Sequence, residues 1–236
     1  TVSKTPMSSL MLVNTYRKSI HGNICIKFWI KCLTRMDKFV LEIPNFIPQH
    51  ICETIVEGFE NDDRKVEGSF TYPVGDQIVT RKKNNFELSS TNLEGWEDMN
   101  ALFSDYTAKA YEKYANHLKS TFNDYGDPRY PVYDIELFQN RIVCSGFPIQ
   151  RLGKGDTYDW HHDGDVFKPY FIQIIFYLNT LQENQGGCTE FIDGKKVRPE
   201  VGKVLMYPCS WTFPHKGGEV QDGYKYICTT TISIQT

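Results

Sequence analysis

The chain has 236 residues, 40% hydrophobic, 14% aromatic and 23% charged, with a formal net charge of −3. The length suits one well-buried domain rather than two, and no run approaches the roughly 18 apolar residues that a membrane helix needs. Residues 1–35 carry six basic and no acidic residues, which leaves 20 basic against 29 acidic in residues 36–236; an acidic body is a poor polyanion binder, which counts against a nucleic-acid substrate.

Residues 1–35 show no clean period and read as an N-terminal extension. They are acid-poor and contain Ser and Arg, as organelle-targeting peptides do, but the apolar run from Ile24 to Leu33 is broken by Lys27 and Lys31 and is unlike a secretory signal. Met36 looks like a natural beginning, so a single catalytic domain is expected over 36–236, with helical support in 36–130 and a β-rich core in 131–236.

After a first strand at Lys38–Ile43, Pro48 opens a helix in which Ile51, Ile55 and Phe59 recur at helical spacing while Glu53, Glu57 and Glu60 face water. Arg81-Lys82-Lys83-Asn84-Asn85 reads as a basic, solvated loop, with a role as a substrate lid left open. A second helix is expected from about Leu93 to Phe122, its stripe of Met99, Phe103, Tyr106, Ala110 and Tyr114 covering one side of a sheet. From Tyr133 the texture becomes short β-segments separated by turn residues: Phe147–Leu152, Tyr158–Asp163, Phe171–Asn179, Thr189–Ile192, Lys203–Tyr207 and Tyr226–Ile234. Several short strands at regular spacing predict a mainly β jelly roll, a double-stranded β-helix, supported by the two N-terminal helices.

The seven cysteines, at 25, 32, 52, 144, 188, 209 and 228, form no Cys-x-x-Cys pair. They are expected as reduced, mostly buried thiols in a cytoplasmic or similarly reducing compartment. Cys188 and Cys209 fall in strand-like stretches near the chemistry, and neither is read as a nucleophile.

The most informative stretch is Tyr158-Asp159-Trp160-His161-His162-Asp163-Gly164-Asp165, matched downstream by Pro214-His215-Lys216 and Lys225. Side chains alternate along a strand, so His161 and Asp163 share a face and His162 points away. With His215 from a distant strand they form a two-histidine, one-carboxylate set, which holds one face of an iron ion and leaves positions open for substrate and oxygen. Asp165 shares the parity of Asp163 but lies beyond Gly164, where a turn would disrupt strand geometry. Trp160 and Trp211 are expected as core aromatics.

Between Gly155 and Lys225 the pattern resembles the 2-oxoglutarate- and iron(II)-dependent dioxygenases, in particular their prolyl 4-hydroxylase-like branch. The resemblance is carried by Gly155, Tyr158, His161 and Asp163; by Tyr177-Leu178; by Gly186, Gly187, Thr189 and Phe191; by Pro199 and Gly202; and by His215, Val220, Gly223 and Lys225. Asn45-Phe46-Ile47 leading into Cys52 extends it to most of 36–236. It implies that His161, Asp163 and His215 bind iron(II), and that 2-oxoglutarate chelates the iron through its 1-carboxylate and 2-oxo group. Its far carboxylate would meet Lys225, with Tyr177 donating a hydroxyl, because a buried carboxylate needs a charged or hydrogen-bonding partner. The implied reaction consumes dioxygen, releases succinate and CO2 and hydroxylates an unactivated C–H bond, with ascorbate as an accompanying reductant. Tyr158 is implied as a substrate-facing residue at the mouth.

The substrate half departs from the family pattern. An arginine before the Tyr-Leu pair and a tryptophan after the basic residue are common in prolyl-peptide hydroxylases, whereas here the two regions read Lys168-Pro169-Tyr170-Phe171-Ile172-Gln173 and Cys228-Thr229-Thr230-Thr231-Ile232. A prolyl residue in a peptide or protein leads, with another amino-acid side chain, a free amino acid or a small metabolite behind it. Three rivals remain open: a cupin-like metal enzyme that uses no oxo acid, a catalytically silent binding module, and the nucleic-acid demethylase branch. The last normally shows several arginines after the distal histidine, and there are none between His215 and Thr236.

Overall fold

The computed structural model describes residues 37–74, 77–121, 142–164 and 170–234, with 70–74, 77–84 and 234 described by their backbone alone. The described fold belongs to the compact unit Lys38–Thr236. The expectations for residues 1–35, for 131–141 and for Asp165 lie outside the described residues.

In chain order the unit contains β1 (Leu41–Ile43), α1 (Gln49–Asn61), β2 (Val66–Val74), β3 (Gln77–Ser89), α2 (Glu97–Thr121), β4 (Ile142–Cys144), β5 (Pro148–Leu152), β6 (Tyr158–His161), β7 (Tyr170–Tyr177), β8 (Thr189–Phe191), β9 (Lys196–Val197), β10 (Val204–Pro208), β11 (His215–Gly217) and β12 (Lys225–Ile234). The major sheet runs β1-β10-β7-β12-β5-β3-β2, with β4 paired to the far end of β12, and the minor sheet runs β6-β11-β8-β9. All their pairings are antiparallel. This is the expected mainly β, two-sheet jelly-roll architecture with two helices.

Period-two alternation on the central strands builds two cores at once. On β7, Ile172, Ile174 and Phe176 join Val204 and Met206 of β10 and Cys228 of β12 in the layer under the helices. Ile175 and Tyr177 point the other way, with Leu205, Tyr207 and Ile227, into the space between the sheets. That strand is therefore buried on both faces, which explains its near-continuous apolar run.

The helices cover the outer face of the major sheet. α1 starts after Pro48 and buries Cys52, Ile55 and Phe59; Glu53, Glu57 and Glu60 stay exposed. α2 buries Phe103, Ala110 and Tyr114. Phe103 stacks on Phe147 at 5.5 Å between ring centroids and meets Phe176 at 5.4 Å. The helix begins later than its hydrophobic stripe suggests, because Asn92 takes a positive φ of 59° and Leu93–Trp96 form a turn tied back to Ser90. No described helix is long and apolar enough to cross a membrane.

Two local expectations fail. Arg81–Asn85 is not a loop: it lies within β3, with Arg81 opposite Phe70 and Lys82 opposite Ser69 in a long hairpin. Its lysines and asparagines hide the alternation that identifies a strand. Trp160 and Trp211 are not core residues either, being 47% and 75% exposed. Trp160 lies on β6 with the parity opposite to His161, and the Lys216 ammonium sits 5.4 Å from its ring centre.

One turn ties the helical layer to the jelly roll. Gly202, at φ +74°, donates its N–H to Tyr177 O and accepts from the amides of Phe46 and Ile47. A Cβ there would lie 2.1 Å from Ile47 O. Gly202→Ala combines left-handed backbone strain with a main-chain clash and is expected to cost about 2 kcal/mol or more, measured as a lower denaturant midpoint with an unchanged m-value.

Candidate metal centre and its cavity

The site begins with a strand pairing. In the β6–β11 ladder His161 lies directly opposite His215, which sets the two imidazole rings 4.2 Å apart between centroids. β6 ends at His161, so Asp163 is carried by a bend rather than by the strand that simple alternation assumes. Gly164 makes that bend possible: its N–H bonds Cys209 O at 2.9 Å, and a Cβ on it would lie 2.6 Å from Tyr170 O. His162 is exposed, with Nδ1 turned to Gly164 O at 3.0 Å.

The ligand-type atoms of His161, Asp163 and His215 lie within 4.8 Å of one another. Asp163 Oδ1 is 3.5 Å from His161 Nε2, and Oδ2 is 3.5 Å from His215 Nε2. Both histidines point Nδ1 at a backbone carbonyl, Asp159 O at 2.7 Å and Phe213 O at 3.3 Å. A carbonyl can only accept, so Nδ1 carries the proton and Nε2 presents a lone pair.

The electrostatics agree with that assignment. Burial holds His215 down to about 4, well below an ordinary histidine, so its imidazole is neutral at physiological pH. Burial alone would raise the Asp163 carboxyl, but whenever His161 Nε2 carries a proton its hydrogen bond, with the positive fields of the histidines, outweighs burial and holds the group below its ordinary value; a cation on the same lone pairs would act in the same direction. Asp163 Oδ2 is buried without a hydrogen-bond partner. A carboxylate set between two imidazole nitrogens, with one of its oxygens buried and unpartnered, is a cluster of acceptors that a divalent first-row cation can bind together through both nitrogens and a carboxylate oxygen. The residues present fit iron(II).

The three side chains open into a cavity of about 350 Å³ between the sheets. Leu152, Ile175 and Ile227 are apolar parts of its wall, and Thr189 and Lys225 also line it. Lys225 begins β12 opposite Leu152 and is 3% exposed. Among the described residues no acidic side chain pairs with it, and burial pulls its ammonium down to about 8. The Tyr177 hydroxyl bonds Thr189 Oγ1 at 2.7 Å, and Thr189 is the one of the pair that lines the cavity. At the mouth, Tyr158 packs on His161 with centroids 4.0 Å apart, and burial pushes its hydroxyl up to about 12.

Three cavity residues escape a sequence reading. Thr189 sits in a short strand whose neighbours attract more attention. Tyr207 looks like one more apolar residue of β10, yet its hydroxyl lies 2.9 Å from His215 Nε2. Gln173 carried a signal: it is the single carboxamide in the apolar run Tyr170–Tyr177, and it faces the cavity with Oε1 buried and unpartnered. Cys209 is buried beside the Asp163 bend with its thiol raised by burial, and with Cys52, Cys144, Cys188 and Cys228 it is a free thiol.

A jelly roll that turns two imidazoles and a carboxylate into a cavity also lined by a buried lysine has the make-up of a metal-dependent enzyme. Residues 147–233, which contain all of these groups, match the family model of the 2OG-Fe(II) oxygenase superfamily, a superfamily of metal-dependent enzymes. Iron(II) and 2-oxoglutarate are the cofactors that the family and the histidine–aspartate–histidine set imply.

The fold is shared with solved prolyl hydroxylases at low identity. A Trichoplax adhaerens prolyl hydroxylase, solved in complex with a hypoxia inducible factor oxygen degradation domain peptide fragment, superposes with a TM-score of 0.60 at 14% identity, covering 86% of this chain and 87% of that one. A Pseudomonas putida prolyl-4-hydroxylase gives 0.52 at 14% identity over 84% of this chain and 94% of the other. A Phytophthora capsici prolyl 4-hydroxylase gives 0.53 at 15% identity over 84% and 60%. No curated protein matches the sequence.

Proposed function

We propose that residues 36–236 form a single oxygenase domain that hydroxylates a C–H bond of a peptidyl substrate, with a prolyl residue as the leading target. His161, Asp163 and His215 hold the iron; Lys225, with Thr189, grips the far carboxylate of 2-oxoglutarate. The observation that carries this is the cross-strand His161–His215 pair beside the orphaned Asp163 oxygen, opening into the cavity that Lys225 also lines. When bound, iron(II) and 2-oxoglutarate supply the oxidising chemistry, in which dioxygen is consumed, the oxo acid leaves as succinate and CO2, and one oxygen atom enters the substrate.

The chain's own contribution is placement and exclusion of water. The Nδ1–carbonyl bonds fix both imidazole rings, and the apolar wall of Leu152, Ile175 and Ile227 keeps the surroundings of Lys225 dry, which strengthens a lysine–carboxylate contact. Tyr177 acts through Thr189, whose hydroxyl is the group that lines the cavity. Thr189→Val is therefore expected to weaken 2-oxoglutarate binding about tenfold, the loss of one hydrogen bond to a charged group, while leaving the iron content unchanged in an anaerobic titration.

The same cavity is lined by Gln150, Gln173, Thr229 and Thr231, which bring amide and hydroxyl groups, and Oγ1 of Thr231, like Oε1 of Gln173, is buried without a partner. Among the described lining residues the sole lysine is Lys225, and there is no arginine. Uncharged hydrogen-bonding groups without a cation suit peptide amides better than a carboxylate or phosphate. The peptide held by the Trichoplax enzyme supports the same class. Free thiols at five described positions suit a reducing, cytoplasmic compartment.

The test is succinate release from 2-oxoglutarate by iron(II)-loaded protein, with ascorbate present, across prolyl peptides, peptides without proline, free amino acids and small metabolites. Stimulation by prolyl peptides, with a mass gain of one oxygen atom, is expected. Stimulation confined to free amino acids or metabolites would remove the peptidyl reading and keep the reaction class.

A further inference from the structure

We infer that Tyr207 is a positioning residue of the metal centre: its hydroxyl, in hydrogen-bonding reach of His215 Nε2, serves Asp163 Oδ2 when a cation takes that nitrogen. The inference rests on the metal site proposed above. Tyr207 is fully buried, with its ring set edge-on to Phe191 at 5.0 Å and against the His215 ring at 4.7 Å. So clamped, the ring has little room to leave, and the hydroxyl is confined to the metal site.

The hydroxyl lies 2.9 Å from His215 Nε2. Nδ1 of that ring faces Phe213 O, so Nε2 is the lone-pair side and the tyrosine is the donor. A cation bound by His215 takes the same lone pair, which leaves a buried phenol proton without an acceptor unless another is at hand. One is: Asp163 Oδ2 is buried, unpartnered and 3.5 Å from that nitrogen. The hydroxyl then exchanges a neutral hydrogen bond for a shorter, stronger one to a carboxylate, and Asp163 is held with Oδ1 free to face the metal. A hydrogen bond to a ligating carboxylate orients the ligand and raises affinity.

The experiment is a titration of full-length wild type and Tyr207→Phe with Co(II), followed by its visible d–d bands, with circular dichroism as the check on folding. The variant is expected to bind Co(II) about tenfold more weakly, with altered band positions and wild-type secondary structure. Equal affinity with unaltered bands would overturn the inference. Tighter binding by the variant would also overturn it, because the hydroxyl would then be a mere competitor for His215. Wild type that fails to bind Co(II) at all would sink the metal centre itself, a separate outcome from a variant that binds as well as wild type. Should Tyr207→Phe fail to fold, a crystal structure of Mn(II)-loaded wild type decides: the hydroxyl at hydrogen-bonding distance from Asp163 Oδ2 supports the inference, and a hydroxyl bound to the metal or to neither carboxylate oxygen refutes it.

Discussion

His161→Ala and His215→Ala should each lower 2-oxoglutarate turnover by more than about a hundredfold, the upper end of what loss of an outer-shell partner costs a metal site, whereas His162→Ala should stay within a few-fold of wild type. The contrast is the informative part. The three histidines lie close together, but only His161 and His215 face each other across a ladder with Nε2 turned toward Asp163. The exposed His162 is held by Gly164 O instead. Turnover is measured as succinate formed by folded, iron-loaded protein. A His162→Ala protein that folds but is inactive would mean that the bend around Asp163 closes differently in solution.

The second large effect is expected at Lys225. If its ammonium is the counter-ion of the cosubstrate's far carboxylate, Lys225→Ala leaves a buried anion without a partner, a loss of about 3–5 kcal/mol or about a hundred- to a thousandfold in 2-oxoglutarate affinity. The same lysine predicts a pH dependence. Burial lowers its pKa to about 8 from 10.5 in the cosubstrate-free protein, and a bound carboxylate would raise it again. Binding above pH 8 therefore takes up a proton, so 2-oxoglutarate affinity should fall about tenfold per pH unit there and stay flat below.

Stability should move the opposite way: between about 8 and 10.5 the unfolded chain binds the proton that the folded chain has lost, so the cosubstrate-free protein gains stability as pH rises through that window. Both signs can be read from one set of anaerobic titrations and thermal scans. Activity that needs no 2-oxoglutarate and is unchanged in Lys225→Ala would favour a cupin-like metal enzyme that uses no oxo acid.

How far the sequence reveals this site depends on the kind of information each residue carries. The metal set is visible because its spacing is distinctive and because two adjacent histidines and three aspartates crowd into Tyr158–Asp165. Strands such as Tyr170–Tyr177 and Lys225–Ile234 are visible because both faces are buried and their composition is β-branched and aromatic. The hairpin of Val66–Val74 and Gln77–Ser89 is hidden, because Arg81-Lys82-Lys83-Asn84-Asn85 carries no hydrophobic alternation and is strand through its pairing alone.

Thr189 and Tyr207 are hidden for another reason. Their importance comes from what lies across the cavity, Lys225 and Tyr177 for one and His215 for the other, and no local pattern encodes a cross-sheet neighbour. Trp160 misleads because aromatics are usually buried. Its parity, opposite to His161 on the edge strand of the minor sheet, is what turns it to solvent.

The central claim is that three side chains from two strands and a bend share one ferrous ion. Its most direct test is the iron content of protein reconstituted anaerobically with iron(II) and freed of excess metal, compared between wild type and the His161→Ala/His215→Ala double variant. One iron per wild-type chain and essentially none in the folded double variant is the predicted result; equal iron in both proteins would contradict it.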